Sequence, residues 1–268
     1  MKAPRFGLYI IGDEILSAKR QDKHLSKVIE LLGARGLRLS WSHYLGDDRD
    51  YITASLARSF DSDDVVFSCG GIGSTPDDHT RQAAALALGV ELELHPEARV
   101  LIAQRCADMA AEGRGSADMT TPENLQRLKM GEFPRGARIL PNAYNRIPGF
   151  AVGRHYFAPG FPVMAWPMIE TVLDTEYGWA FGSGRVEERS LLVFETPESA
   201  IVPLMVDIEA RFPQVKAFSL PSVGDGSDGK AARRHIELGV KGPAHSVDSA
   251  FAAMSEGIRA IGAEFAPT

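Results

Sequence analysis

The sequence predicts an α/β protein, with helices against both faces of a mostly parallel sheet, followed by a smaller C-terminal α+β domain. Three observations lead there. Phe6 to Ile11 is an unbroken apolar run, the pattern of a strand buried on both faces in the middle of a parallel sheet. Asp63 to Arg81 passes from β-branched and aromatic residues through three glycines into an alanine-rich helical pattern, a strand–loop–helix unit. Beyond Gly178, Gly182 and Gly184, which mark a linker, the order changes to β-α-β-β-α. The domains are therefore read as 1–178 and 186–268.

A chain of 268 residues is long enough for one large core and a smaller one. Its formal charge of -6 excludes nucleic-acid binding as its main business, because a phosphate backbone calls for a basic face. Two cysteines make neither a disulfide framework nor a zinc site and point to a reducing, cytoplasmic compartment. Cys69, at a strand end, is read as a small buried spacer and not a reactive thiol. The first apolar run is too short for a membrane span, so no membrane partner is expected.

Taken in order, Phe6 to Ile11 ends in Gly12, Asp13 and Glu14, at the strand terminus where open α/β sheets carry their sites. Lys19 and Arg20 follow in a polar stretch and could reach a phosphate. Leu25, Val28, Ile29 and Leu32 recur at helical spacing, predicting a helix from Asp22 to Arg35. Leu37 to Leu45 alternates as a strand, with His43 a strand residue. Gly46-Asp-Asp48 ends that strand and opens a helix carrying Ile52, Leu56 and Phe60, where Asp48 is placed to cap. After the glycine loop, Ala83 to Leu88 is helical and Val90 to Leu94 a short edge strand. Pro96 to Ala111 is a helix, and Gly113 to Met119 a loop. Thr121-Pro-Glu-Asn124 caps a helix that presents Arg127 and Lys129, both natural anion partners. Ala137 to Leu140 and Ala151 to Ala158 read as strands around a turn with Asn142 and Asn145, whose amides suit either a heterocycle edge or the turn itself. Gly160 joins the second of these to a helix and permits close ligand approach. In the second domain Ser190 to Phe194, Val215 to Leu220 and Ala231 to Val240 are strands. Helices contain Ile201 to Ile208 and Ser246 to Ile261, and the Gly224 to Gly229 acidic stretch is a turn lacking the full calcium-loop pattern.

The glycine loop carries the chemistry. Gly70, Gly71 and Gly73 allow main-chain angles and close approach that a Cβ would forbid, so successive N–H groups can face one anion. The helix behind adds the positive end of its dipole. Asp77 and Asp78 would repel a phosphate unless a cation such as magnesium lies between, or unless they accept N–H groups from another part of the ligand. There is no G-K-[ST] Walker sequence and no G-x-G-x-x-G.

The string from Gly70 to Arg81 resembles the G-G-x-G-x-T-x-D-D-x-T signature of the CinA-type branch of the molybdopterin-binding (MoaB/MogA-like) family. Further matches in the family's order are Gly12-Asp-Glu-Ile-Leu16, Gly46-Asp-Asp48, Asn124 to Met130, Pro141-Asn142, Pro148-Gly-Phe150 and Pro159-Gly160, covering Phe6 to Tyr177. The resemblance implies a three-layer α/β/α domain that binds molybdopterin or a nucleotide at the carboxyl edge of its sheet. It implies Gly70, Gly71, Gly73, Ser74, Thr75, Thr80, Asn142 and Gly160 as ligand contacts and Asp47 and Asp78 as the acids that act on or grip the ligand. Asp13, Glu14 and Asp77 become candidates for magnesium or another divalent cation. The reading it favours is a binding protein for a phosphorylated pterin or nucleotide. A metal-dependent pyrophosphatase acting on ADP-ribose is the alternative, and an interaction scaffold a third. Family members are commonly multimeric, so a homo-oligomer is expected. Many relatives carry a further amidohydrolase domain, an activity not expected here. Two segments depart from the family. Asn142 to Phe150 lacks the usual G-T and has Tyr144 and Arg146, and Ala158 to Pro162 replaces L-P-G-x-P.

Overall fold

The computed structural model describes residues 3–184, 186–225 and 233–268. The chain forms two units, Met1–Gly184 and Arg185–Thr268, described in turn.

In the first unit, β1 (Phe6–Ile11) is buried at every position, as expected for an apolar run between two helical layers. A four-residue α1 (Asp13–Leu16) follows, then α2 (His24–Ala34), β2 (Leu39–Leu45), α3 (Arg49–Phe60) and β3 (Val65–Cys69). Asp22 starts α2 by accepting from the His24 and Leu25 amides at 2.7 and 3.1 Å. Asp48 starts α3 by accepting from Tyr51 N at 2.7 Å. Beyond β3 come α4 (Thr80–Leu88), β4 (Leu92–Leu94), α5 (Pro96–Ala111), α6 (Pro122–Leu128), β5 (Glu132–Pro134), β6 (Arg138–Leu140), β7 (Gly149–Val152), β8 (His155–Ala158) and α7 (Pro162–Glu176).

The main sheet has the order β2-β1-β3-β8-β7-β6. The pairs β1–β2, β1–β3 and β3–β8 are parallel, and β7 runs antiparallel to both neighbours. Alternate residues of β1 face opposite layers. Phe6, Leu8 and Ile10 pack with Val28, Leu31 and Leu32 of α2 and Met168, Ile169 and Val172 of α7. Tyr9 and Ile11 pack with Ile52 and Leu56 of α3, Ala83 and Ala84 of α4, and Ala98 of α5. This is the three-layer α/β/α arrangement with a mostly parallel sheet. The chain passes from β1 outward to β2 and then across β1 to β3, so the carboxyl ends of β1 and β3 flank the switch point where such sheets open a crevice.

Three expectations change here. The apolar run Ala151 to Ala158 is not one strand but the β7–β8 hairpin, turned at Gly153 with φ 55°; burial on both faces had hidden the break in alternation. The segment expected as an edge strand after α4 pairs instead with β5 in a separate two-stranded sheet. Residues 178–184, read as linker, belong to the first unit: Gly182 N donates to Arg35 O at 2.8 Å and Gly184 N to Gly36 O at 2.9 Å.

The second unit contains β9 (Glu187–Phe194), α8 (Glu198–Arg211), β10 (Lys216–Ser222), β11 (His235–Gly242), α9 (Ala244–Ala260) and β12 (Phe265–Pro267). Its sheet order is β10-β11-β9-β12, antiparallel throughout, the split β-α-β arrangement. Ile201 and Ile208 of α8 and Val247, Ala250, Met254 and Ile258 of α9 cover one face of the sheet over Leu191, Val193, Leu238 and Val240. The last strand, of three residues, is an addition to the expected pattern. Most of the acidic turn, residues 226–229, and the expected strand start at 231–232 lie outside the described residues. No helix among the described residues is long and apolar enough to cross a membrane.

Phe150 stacks between Phe157 and Phe133, with ring centroids 4.3 and 4.9 Å away, and is fully buried. Phe150→Ala is expected to cost about 3–5 kcal/mol in urea denaturation of the full chain.

Candidate functional site

The carboxyl ends of β1 and β3 meet at a close approach of main chains. Gly70 has φ +110°, and a Cβ there would land on the Ile11 carbonyl oxygen. Gly160, after β8, lies so close that its own Cβ would be 3.4 Å from the Gly70 Cα. Gly71, at φ +68°, leaves no room for a Cβ over the Thr80 hydroxyl. Gly70 and Gly71 are thus required by local packing before any ligand is considered, whereas a Cβ at Gly160 would make ordinary contact.

What this packing does to the peptide groups matters most. Thr80 Oγ1 donates to Gly70 O at 3.1 Å, and Thr80 N to Gly71 O at 2.9 Å. Arg81 Nη2 donates to Gly73 O at 2.5 Å, and Gln126 Nε2, from α6, to Ser74 O at 2.5 Å. The N–H groups of Gly71, Ile72, Gly73 and Ser74 have no hydrogen-bond partner among the described residues. Straps on the carbonyl side leave a run of free amides, the arrangement that binds anions. Arg81 is buried, 3% exposed, and burial pulls its guanidinium below the ordinary range, with Glu132 and Asp78 opposing. Its Nε and Nη1 have no partner among the described residues.

A cavity of about 370 Å³ opens over this loop, within the usual range for small-molecule sites. Of the residues named from sequence, Gly70, Gly71, Gly73, Ser74, Thr75, Asp77, Asp78, Glu14, Asp47, Asn142 and Gly160 border it. Thr80 and Asp13 do not. Thr80 is fully buried beneath the loop and acts as a strap, not as the ligand contact expected. Asp13 is turned to its neighbour strand: its N–H donates to Asp47 Oδ2 at 2.9 Å, and its Oδ1 accepts from Asp47 N at 3.1 Å. This reciprocal pair ties the ends of β1 and β2 together.

Asp47 is partly buried, and burial pushes its carboxyl above the ordinary range; the Asp13 N–H opposes this, while the charges of Asp13, Glu14 and Asp77 add to it. Asp77 is exposed, its carboxyl held below the usual range by Thr75. Asp78 closes the loop on itself, with Oδ2 accepting from Thr75 N at 2.8 Å and from Thr75 Oγ1 at 2.5 Å. The three carboxylates named for a cation, Asp13, Glu14 and Asp77, are not gathered: no group of three or more metal-ligating side chains converges among the described residues.

Asn142 borders the cavity, but its amide is used within the turn. Nδ2 donates to Asn145 Oδ1 and Ile147 O, each at 2.9 Å, and Oδ1 accepts from Tyr144 N at 3.1 Å. It shapes the wall and has little left for a ligand edge. Arg127, expected as an anion partner, donates to Asn124 Oδ1 in its own helix; neither it nor Lys129 reaches the cavity. Cys69 is buried and its thiol is pushed up to about 12 by desolvation, consistent with an inert spacer. Arg20, Ile72, Met130, Asn145, Phe161 and Met164 are among the other residues that line the cavity. Of the straps, Arg81 and Gln126 had no role in the sequence reading. A cation at the start of an alanine-rich helix was the one available hint for Arg81; Gln126 had none.

Fold and crevice together describe a three-layer α/β domain with a cavity at the topological switch point of its sheet. Residues 7–177 match the family described as "Probable molybdopterin binding domain", and the chain belongs to that family. Two CinA-like proteins, from Anaeromyxobacter sp. strains Fw109-5 and K, are each 32% identical, over 249 and 251 residues; each match covers 86% of this chain. The chain spans 57% and 58% of the length of those two relatives. Among solved structures, the protein CinA of unknown function from Thermoplasma acidophilum superposes with a TM-score of 0.54 at 27% identity, covering 64% of this chain and 97% of that one.

The raised Asp47 carboxyl gives a stability test. A carboxyl with a higher pKa folded than unfolded binds more protons in the folded state. It therefore favours folding at acidic pH and opposes it once pH rises above the usual aspartate range. Asp47→Asn keeps an acceptor for Asp13 N–H while removing the charge. Its melting temperature at pH 7 is expected to equal or exceed that of the wild type, with the difference vanishing near pH ~4 in scanning calorimetry.

Proposed function

We propose that the chain binds a phosphate-bearing heterocycle, a phosphorylated pterin or a nucleotide, with the phosphate on the amides of Gly71 to Ser74. The observation that carries this is the run of four unpartnered N–H groups, presented by carbonyls that are tied back by Thr80, Arg81 and Gln126. A loop that served only to connect β3 to α4 would have no need of three straps. Asp47 and Asp78 would accept N–H groups of the heterocycle. Phe161, 55% exposed at the rim, offers a face for its ring. The family's description favours the pterin.

A second reading, cleavage of the pyrophosphate of ADP-ribose, is favoured by the several carboxylates, Glu14, Asp47, Asp77 and Asp78, that border one cavity with the glycine loop. Magnesium takes one or two carboxylates and completes its shell with phosphate oxygens and water, so the rim suits it when the ligand brings phosphates. Of the carboxylates named for a cation, Glu14 and Asp77 border the cavity and each could supply a single ligand. Bound there, it would polarise a phosphoryl oxygen. The residues of this chain would hold the phosphate on the loop amides and orient the heterocycle.

Calorimetry of the full chain against molybdopterin, AMP and ADP-ribose, with and without magnesium and followed by product analysis, separates the readings. Pterin affinity unchanged by chelator selects the binding protein; magnesium-dependent AMP release selects the hydrolase. No binding of any of the three removes both. Asp78→Asn is expected to weaken binding at least tenfold, about 1.4 kcal/mol, and unaltered affinity would exclude Asp78 from the site.

A further inference from the structure

The opposite rim of the first unit's sheet, where the strands begin, carries a cavity of its own, of about 470 Å³, within the range of small-molecule sites. Three strand starts build it. Arg5 precedes β1, Asp63 and Asp64 precede β3, and Arg154 follows the Gly153 turn into β8. Main-chain bonds fix their spacing, with Val65 N donating to Arg5 O at 2.8 Å and Val66 N to Arg154 O at 2.9 Å. The end of α7 and the turn after it supply Glu176, Tyr177 and Trp179. The length of β3, on the order of 15 Å, separates this rim from the glycine loop.

Most polar groups of this cavity are already engaged. Asp64, buried, accepts from Trp41 Nε1 at 2.8 Å and faces Arg5 Nε at 3.5 Å. Glu176 Oε2 accepts from the Tyr156 hydroxyl at 2.6 Å and from Arg138 Nη2 at 2.8 Å. The Tyr177 hydroxyl meets that of Tyr156 at 2.9 Å, and its ring stands edge-on to Phe6. Burial pushes the Tyr177 hydroxyl up, and the charge of Arg154 is among those that pull it down. The floor is therefore fixed before a ligand arrives. Two groups are left over. Arg154, exposed, gives only Nη1, to Asp63 O at 2.9 Å, and makes no ion pair among the described residues. Trp179 is 54% exposed, yet its indole is held by Nε1 donating to Glu176 O at 3.1 Å. Its ring meets no aromatic or cationic side chain among the described residues. An indole face that is both in water and locked in place needs no further ordering when a second ring lies on it.

We propose that this cavity is a second ligand site, one that takes a planar aromatic ring bearing a single carboxylate, with the ring on the Trp179 indole and the carboxylate on Arg154. The planar guanidinium fork matches a carboxylate, and Arg154 keeps Nε and Nη2 for it. One negative charge is the limit. Asp64 is answered by Arg5 and Glu176 by Arg138, but the exposed Asp63 still stands beside Arg154 and repels a second anionic charge. The site is independent of whatever the glycine loop binds.

The test uses 2-naphthoate as the probe and its uncharged amide, 2-naphthamide, as the control, by calorimetry on the full chain and on the Trp179→Leu and Arg154→Gln variants. Both side chains are exposed, and an unchanged melting temperature verifies that each variant is folded. The wild type is expected to bind 2-naphthoate at least tenfold more tightly than 2-naphthamide. Arg154→Gln is expected to abolish that preference, and Trp179→Leu to weaken 2-naphthoate binding at least fivefold. In heteronuclear NMR spectra of the wild type, the indole N–H resonance that Trp179→Leu removes is expected to move as 2-naphthoate is added, which locates the probe on this ring. No binding of 2-naphthoate, equal affinity for the two compounds, or an indole resonance that stays still at saturation overturns the site. So does binding that neither variant weakens.

Discussion

The first unit depends on three main chains passing within contact of one another: the end of β1 at Ile11, the end of β3 at Gly70, and the turn after β8 at Gly160. A side chain at Gly70 would run into the Ile11 carbonyl and push the strands apart, widening the ends of a sheet whose middle is packed on both faces. Once the strands are this close, the chain leaving β3 has to turn with its carbonyls toward the body of the protein, where Thr80 and Arg81 meet them. The N–H groups of Gly71 to Ser74 are left without partners among the described residues. The way the sheet closes at its switch point thus engages the loop's carbonyls, and the helix behind it contributes the donors.

That geometry sets the electrostatics of the crevice. Acids come from the ends of β1, β2 and β3 because each of those strands stops at a carboxylate-bearing turn, and Asp13 and Asp47 each donate a main-chain N–H to the other's carboxylate across the gap between two of them. The result is a negative end close to a row of positive amide dipoles.

Much of this was legible in the residues. An apolar run with no alternation marks a doubly buried strand, and β1 is one. Proline in the first turn and a helical spacing define α5 at the expected Pro96–Ala111. The glycines and acids of the loop are contiguous in sequence, so a single string carried them. Other features needed distance information that no string contains. Gln126 meets Ser74 across 52 positions, and Asp13 meets Asp47 across 34. Thr80 was visible as part of the motif, but only the packing tells that its hydroxyl points inward to a carbonyl. Asn142 and Asn145 illustrate the opposite error: amides suited to a ligand edge were taken up by their own turn. The β7–β8 hairpin escaped because a strand buried on both faces has no periodicity to lose when it reverses.

The stitching of Gly182 and Gly184 to the turn at Gly36 places the exit of the chain from the first unit. That turn precedes β2, so it belongs to the amino-terminal rim of the sheet, whereas the crevice occupies the carboxyl-terminal rim. Tension on the polypeptide beyond Gly184 would be borne by the junction of α2 and β2, one sheet-length from the crevice.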